Sequence, residues 1–269
     1  MASKVTHHGP WYAVRAALRD AADPAAVARC TTIAPTKGTV LGVRVPVIRA
    51  MVKEFAAATK GLTVSDAADM ADLAFASGRR EEMLFATFLL ARFRAKLEPA
   101  HWPKLDRWIN GIDNWETCDQ LAMGVAGEMI GRAVDPQRGM WVRDLEEWAV
   151  APNPWRRRFA VATTTVLNQK GRSDARTALR ICERAIADDD RNVQKAVGWA
   201  LREACKSDPA AVFALLERHR AAMSRPVLRE SAAKLTASQR ARLGVASERG
   251  ARATGDRARL SLARGRSRE

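Results

Sequence analysis

Asn114-Trp115-Glu116-Thr117-Cys118-Asp119 reads as the entry to a helix. Asn is a good N-cap, and the apolar run Leu121, Val125, Met129 follows it. Residue 153 comes 39 positions after residue 114, and a second entry stands there: Asn153-Pro154-Trp155-Arg156-Arg157-Arg158. Long helices are also expected to start near Arg80 and near Asp190. Each has an amphipathic helix in front of it, over residues 65–77, 99–110, 138–150 and 173–187. No stretch alternates apolar and polar residues long enough to read as a strand. Repetition of a helix pair at a near-constant offset predicts an all-α fold.

The same reading extends to both ends. A helix is expected over residues 11–22, and Asp23-Pro24 starts another, because proline is favourable in a first helical turn. Residues 31–41, with Pro35, Gly38 and four Thr, read as a loop. Pro46 then opens a helix carrying the stripe Ile48, Met51, Val52, Phe55, and Gly61 ends it. Ser65-Asp66 is expected to cap the next helix and Gly78 to close it. A fifth pair is expected over 209–220 and 224–235, with a short helix at 238–243 closing the array.

A helix-pair period of this size is that of HEAT-like repeats, so the expected architecture is a solenoid of antiparallel helix pairs with a concave basic groove. Equivalent positions of successive repeats line one surface of a solenoid. The offset of 39 carries Asp119 to Arg80 in one direction and to Arg158 in the other. The fourth unit is slightly shorter, which puts its equivalent near Lys195, with Trp199 four residues on. Trp115 shares a helix face with Asp119. Arg80, Asp119, Trp115, Arg158, Lys195 and Trp199 are therefore expected on the concave face.

Composition narrows the function. Forty-five Lys+Arg against thirty Asp+Glu give the 269-residue chain a net charge of +15, which points to a polyanionic partner. No apolar run reaches transmembrane length, so a membrane-spanning protein is not expected. The cysteines Cys30, Cys118, Cys182 and Cys205 form no CxxC pair and the four His are scattered, so no metal site is expected. Reduced, buried thiols fit a cytoplasmic protein. Residues 1–243 read as a single repeat domain. Residues 244–269, rich in Arg, Ala, Gly and Ser, read as a disordered cationic tail, either a loose DNA contact or a solubilising extension.

Taken singly, the residues leave their roles open. Trp115 suits a core staple as well as a site, Asp119 an ion pair as well as catalysis, and at most one of Arg156, Arg157 and Arg158 should face the groove. Trp102, Trp108, Trp141, Trp148 and Trp155 read as core. Gly198 beside Trp199 allows close approach of either a ligand or a neighbouring helix.

Four motifs in order resemble the HEAT-like DNA alkylation repair glycosylase family, the AlkD type: Leu41-Gly42-Val43-Arg44-Val45-Pro46; Trp115-Glu116-Thr117-Cys118-Asp119; Asn153-Pro154-Trp155-Arg156-Arg157-Arg158; and Gln194-Lys195-Ala196-Val197-Gly198-Trp199-Ala200-Leu201-Arg202-Glu203. The resemblance spans roughly residues 10–236. The family often has an aromatic where Asn114 stands, and the loop over 30–39 differs in length and offers no match to the family's N-terminal aromatic contact. The resemblance implies a monofunctional DNA N-glycosylase, monomeric and cofactor-free. It would remove cationic alkylated purines of the N3-methyladenine and N7-methylguanine type from duplex DNA. Asp119 is then the catalytic carboxylate, Trp115 and Trp199 the aromatic pair beside the lesion's sugar, and Arg158, Arg80, Lys195 and Arg44 DNA-binding residues.

That chemistry is physically coherent. A cationic base departs neutral and needs little protonation, whereas the oxocarbenium-like sugar needs a carboxylate to stabilise it and to hold water. Trp faces add cation–π stabilisation. A DNA-binding relative without excision activity and a HEAT-type protein scaffold are the alternatives.

Overall fold

The computed structural model describes residues 8–169 and 171–245. The expected tail over 246–269 lies outside these described residues. Among them the chain is all-α, with short 3-10 turns and no strand.

The helices come in pairs. After α1 (His8–Asp20), α2 (Pro24–Ile33) precedes α3 (Val45–Ala58), α4 (Val64–Ser77) precedes α5 (Arg80–Arg92), and α6 (Trp102–Ile109) precedes α7 (Trp115–Leu121). A π turn over Ala122–Ala126 carries α7 into α8 (Gly127–Arg132). Then α9 (Gln137–Trp148) precedes α10 (Pro154–Thr163), α11 (Ala175–Arg184) precedes α12 (Arg191–Ala204), α13 (Pro209–His219) precedes α14 (Arg225–Ser231), and α15 (Ala237–Arg242) ends the array.

Side-chain caps set most of these starts. Asp23, Asn114, Asn153, Asp174, Asp190 and Asp208 each accept a backbone N–H of the first turn, a bond of about 0.5–2 kcal/mol each. One cap departs from expectation. Thr63, not Ser65, caps α4, because Asp66 at the third helical position returns a bond to the Thr63 N–H and closes a reciprocal capping box. Gly78 ends α4 as expected, with φ +64°.

Second helices pack on second helices: α3 on α5, α5 on α7, α7 on α10, α10 on α12, and α12 on α14. First helices do the same, α4 with α6, α9 with α11, and α11 with α13. The Trp residues of the first-helix layer are core. Trp102 stacks on Trp141 (4.8 Å, 17°) and Trp148 (5.6 Å, 8°), and Trp108 stacks on Phe75. Their indole N–H groups are satisfied by Asp144 and Asp72.

Leu121, Val125 and Met129, spaced by four along the segment that contains the π turn, are all buried.

Candidate active site

Asp119 sits one turn inside α7, whose start is set by the Asn114 side chain accepting the Thr117 N–H at 2.9 Å. Arg158 sits one turn inside α10, set in the same way by Asn153. Where α7 and α10 pack together, the two side chains meet as a fork. Arg158 Nε donates to Asp119 Oδ1 at 2.9 Å and Nη2 donates to Oδ2 at 2.7 Å. Arg158 Nη1 also donates to the Asn192 carbonyl on α12 at 2.5 Å. The two side chains are only 6% and 10% exposed, so this is a buried bidentate ion pair.

Burial pushes the Asp119 carboxyl above its ordinary value, and the Arg158 hydrogen bond and charge offset only part of that rise. Burial also acts to lower the Arg158 guanidinium, but the hydrogen bond and charge of Asp119 outweigh it and the net shift is upward. Cys118, fully buried beside the pair, has its thiol pushed well up by burial and by the Asp119 charge, so it stays protonated and unreactive.

Arg80 lies in a second buried cluster. Its Nε donates to Glu116 Oε2 at 2.8 Å, and its Nη1 donates to Glu81 Oε1 at 2.9 Å and to the Val43 carbonyl at 3.2 Å. Glu81 in turn accepts the backbone N–H groups of Leu41 and Gly42. Glu116 and Asp119 are one turn apart on α7. A polar seam therefore runs from the 41–43 loop through Arg80, Glu116, Asp119 and Arg158 to Asn192.

Of the four cations expected at DNA, Arg44 and Lys195 are exposed, with no ion pair among the described residues, while Arg80 and Arg158 are buried in ion pairs. The helix register that makes Asp119 and Arg158 equivalent also turns them toward each other, whereas Arg80 turns to Glu116, one turn before Asp119. On α12 the group that meets Arg158 is the Asn192 carbonyl, a turn before Lys195, because helical side chains lean toward the N-terminus of their own helix. Arg156 and Arg157 turn to Asp106 and Asp188 instead.

Trp115 and Trp199 are both half-buried. The Trp115 Nε1–H donates to the Ile33 carbonyl at 2.9 Å, which holds the indole against the end of α2. Beside it opens a cleft of ≈ 550 Å³ whose walls include Arg29, Ile33, Arg44, Arg80 and Glu116. Gly198 serves helix packing. A Cβ there would come within 3.0 Å of the Glu230 side chain on α14.

Glu81, Asp113 and Glu116 went unread in the sequence. Asp113 accepts the Thr36 hydroxyl at 2.6 Å and the Lys37 N–H, tying the 34–40 loop to the start of α7. Only Glu116 left a trace, lying 36 residues after Arg80, one turn short of the repeat. No group of three or more His, Cys, Asp or Glu able to hold a metal occurs among the described residues. No helix among them is long and apolar enough to cross a membrane.

Fold and site together define an all-helical protein whose buried carboxylate–guanidinium pair joins successive helix pairs. The DNA alkylation repair enzyme family model matches residues 14–235, and the chain belongs to that family. It is similar in fold to a solved structure described as a predicted DNA alkylation repair enzyme from Enterococcus faecalis, at 18% identity and a TM-score of 0.62, over 80% of this chain and 97% of that one. A search of curated proteins finds no match.

Proposed function

We propose that this protein is a DNA glycosylase that hydrolyses the N-glycosidic bond of cationic N3- and N7-alkylated purines in duplex DNA. The observation that carries this reading is Asp119 itself: a carboxylate held by two bonds from Arg158, with 10% of its side chain exposed. The stacking of each second helix on the next supports a solenoid whose groove runs along those helices, with Arg44 and Lys195 as free cations for phosphate.

In the reaction, the bond between C1′ and the base nitrogen breaks and its electron pair leaves with the base, which becomes neutral. Positive charge collects on the sugar, where Asp119 opposes it and Trp115 and Trp199 offer their faces. Water adds to C1′ and releases its proton to solvent. Arg158 acts as a positioning residue that holds the carboxylate in register. This assignment replaces a direct phosphate contact, because Arg158 is buried and its Nε, Nη1 and Nη2 each already donate within the protein.

The test is single-turnover release of N3-methyladenine and N7-methylguanine from methylated duplex. Wild-type protein should release base. Asp119→Asn, checked by its melting curve to be folded, should be slower by roughly a hundred- to a thousand-fold, the typical effect of removing one preorganised electrostatic group. Wild-type-like release by Asp119→Asn removes the carboxylate from the mechanism. Wild-type protein that binds duplex and releases nothing is a DNA-binding relative, and one that does not bind duplex is a scaffold.

A further inference from the structure

Arg49, on α3, takes part in none of the contacts described above. Its guanidinium carbon lies 3.9 Å from the centroid of the Phe88 ring on α5, and its Nη2 donates to Gln120 Oε1 on α7 at 3.0 Å. One side chain thus reaches from α3 over α5 to α7 and ends beside the residue that follows Asp119. Phe88 is buried and Arg49 is exposed.

We propose that Arg49 is a pre-positioned phosphodiester clamp that holds the DNA backbone next to Asp119. The inference rests on the reading of this chain as a DNA enzyme. Three observations lead to it. First, Arg80, Arg156, Arg157 and Arg158 are each matched by a carboxylate, whereas Arg49 has no acidic partner among the described residues. Its charge is available to an incoming anion. Second, a guanidinium carries five N–H donors in a plane, and Gln120 takes one. The ring contact occupies a face and leaves the edge that bidentate phosphate recognition uses. Third, the ring and the Gln120 oxygen fix the rotamer before DNA arrives, so less side-chain freedom is lost on binding. The alternative is that Arg49 only shields the Phe88 ring from water.

The test compares wild-type protein with Arg49→Ala, Arg49→Lys and Gln120→Ala in binding undamaged duplex across a salt series, with melting curves alongside. Arg49→Ala should weaken binding and lower the log–log salt slope by about one, the value for one lost phosphate contact. Arg49→Lys should keep the slope and bind more weakly than wild type. Gln120→Ala should also keep the slope, with a smaller loss of affinity. In single-turnover excision, Arg49→Ala should need more protein to reach half its maximal rate. An unchanged slope in a folded Arg49→Ala overturns the proposal, as does a lowered melting temperature with unchanged affinity. Wild-type protein that binds duplex without releasing base would sink the glycosylase reading and leave the clamp standing on the slope.

Discussion

Asp119 and Arg158 each sit in a site that would be hostile without the other. Breaking a buried pair by removing one partner typically costs about 3–5 kcal/mol, whereas replacing both partners with apolar residues is often neutral or stabilising. Arg158→Ala is therefore expected to destabilise the fold by roughly that amount, since it leaves the Asp119 carboxylate buried without its fork. The double replacement Asp119→Leu with Arg158→Met should melt close to wild type and release no base. Thermal denaturation and base release on the same preparations check both outcomes. An Arg158→Ala protein as stable as wild type would show that the pair is not buried in solution. Asp119 and Arg158 were legible as partners in register, 39 positions apart. Their direct bond was not, because periodicity places Cβ atoms and says nothing of how far a long side chain reaches.

The 34–44 segment shows how one element is held by residues remote in sequence. Asp113 binds its first half, Glu81 accepts its Leu41 and Gly42 N–H groups, and Arg80 donates to its Val43 carbonyl. Gly42 has φ +82°, and a Cβ there would lie 2.1 Å from the Asp23 carbonyl oxygen. Gly42→Ala should thus destabilise by at least about 1–2 kcal/mol, the strain of a left-handed non-glycine residue, with the clash added to it. A melting curve measures this, and a wild-type midpoint would mean that the segment does not pack on α2. Because the same segment carries Arg44 and adjoins Trp115, the variant should lose DNA affinity as well. The starts of α7, α10 and α12 were readable to within a residue, since caps and first-turn prolines act locally. Those expected at residues 11 and 99 lie three residues from the starts of α1 and α6. The loop between α2 and α3 was readable only as a loop, because its bonds come from residues as far away as Asp113.

Across the whole molecule, the net charge of +15 conceals an uneven distribution. Along α5 and α10 the arginines at the helix starts are matched by carboxylates, while Arg44, Arg49 and Lys195 have no carboxylate partner among the described residues. Binding to undamaged duplex is expected to weaken steeply with salt. Replacing Arg44 and Lys195 together by Ala should lower the log–log slope by about two without much change in melting temperature. An unchanged slope would place the DNA elsewhere on the surface.

The sequence by itself determined the all-α class, the spacing of the helix pairs and several of the caps that start them, Asn114 among them. It also carried the motifs by which the family is recognised. These depend on residues within a turn or two of one another, where backbone sterics and capping decide. Tertiary structure alone decided which charges are buried and which are free. It joined Arg158 to Asp119 and Arg80 to Glu116, and it stretched Arg49 across Phe88 to Gln120. The physical reason is that an ion pair exists only when two side chains on different helices reach the same point. The desolvation that gives such a pair its weight is set by everything packed around it.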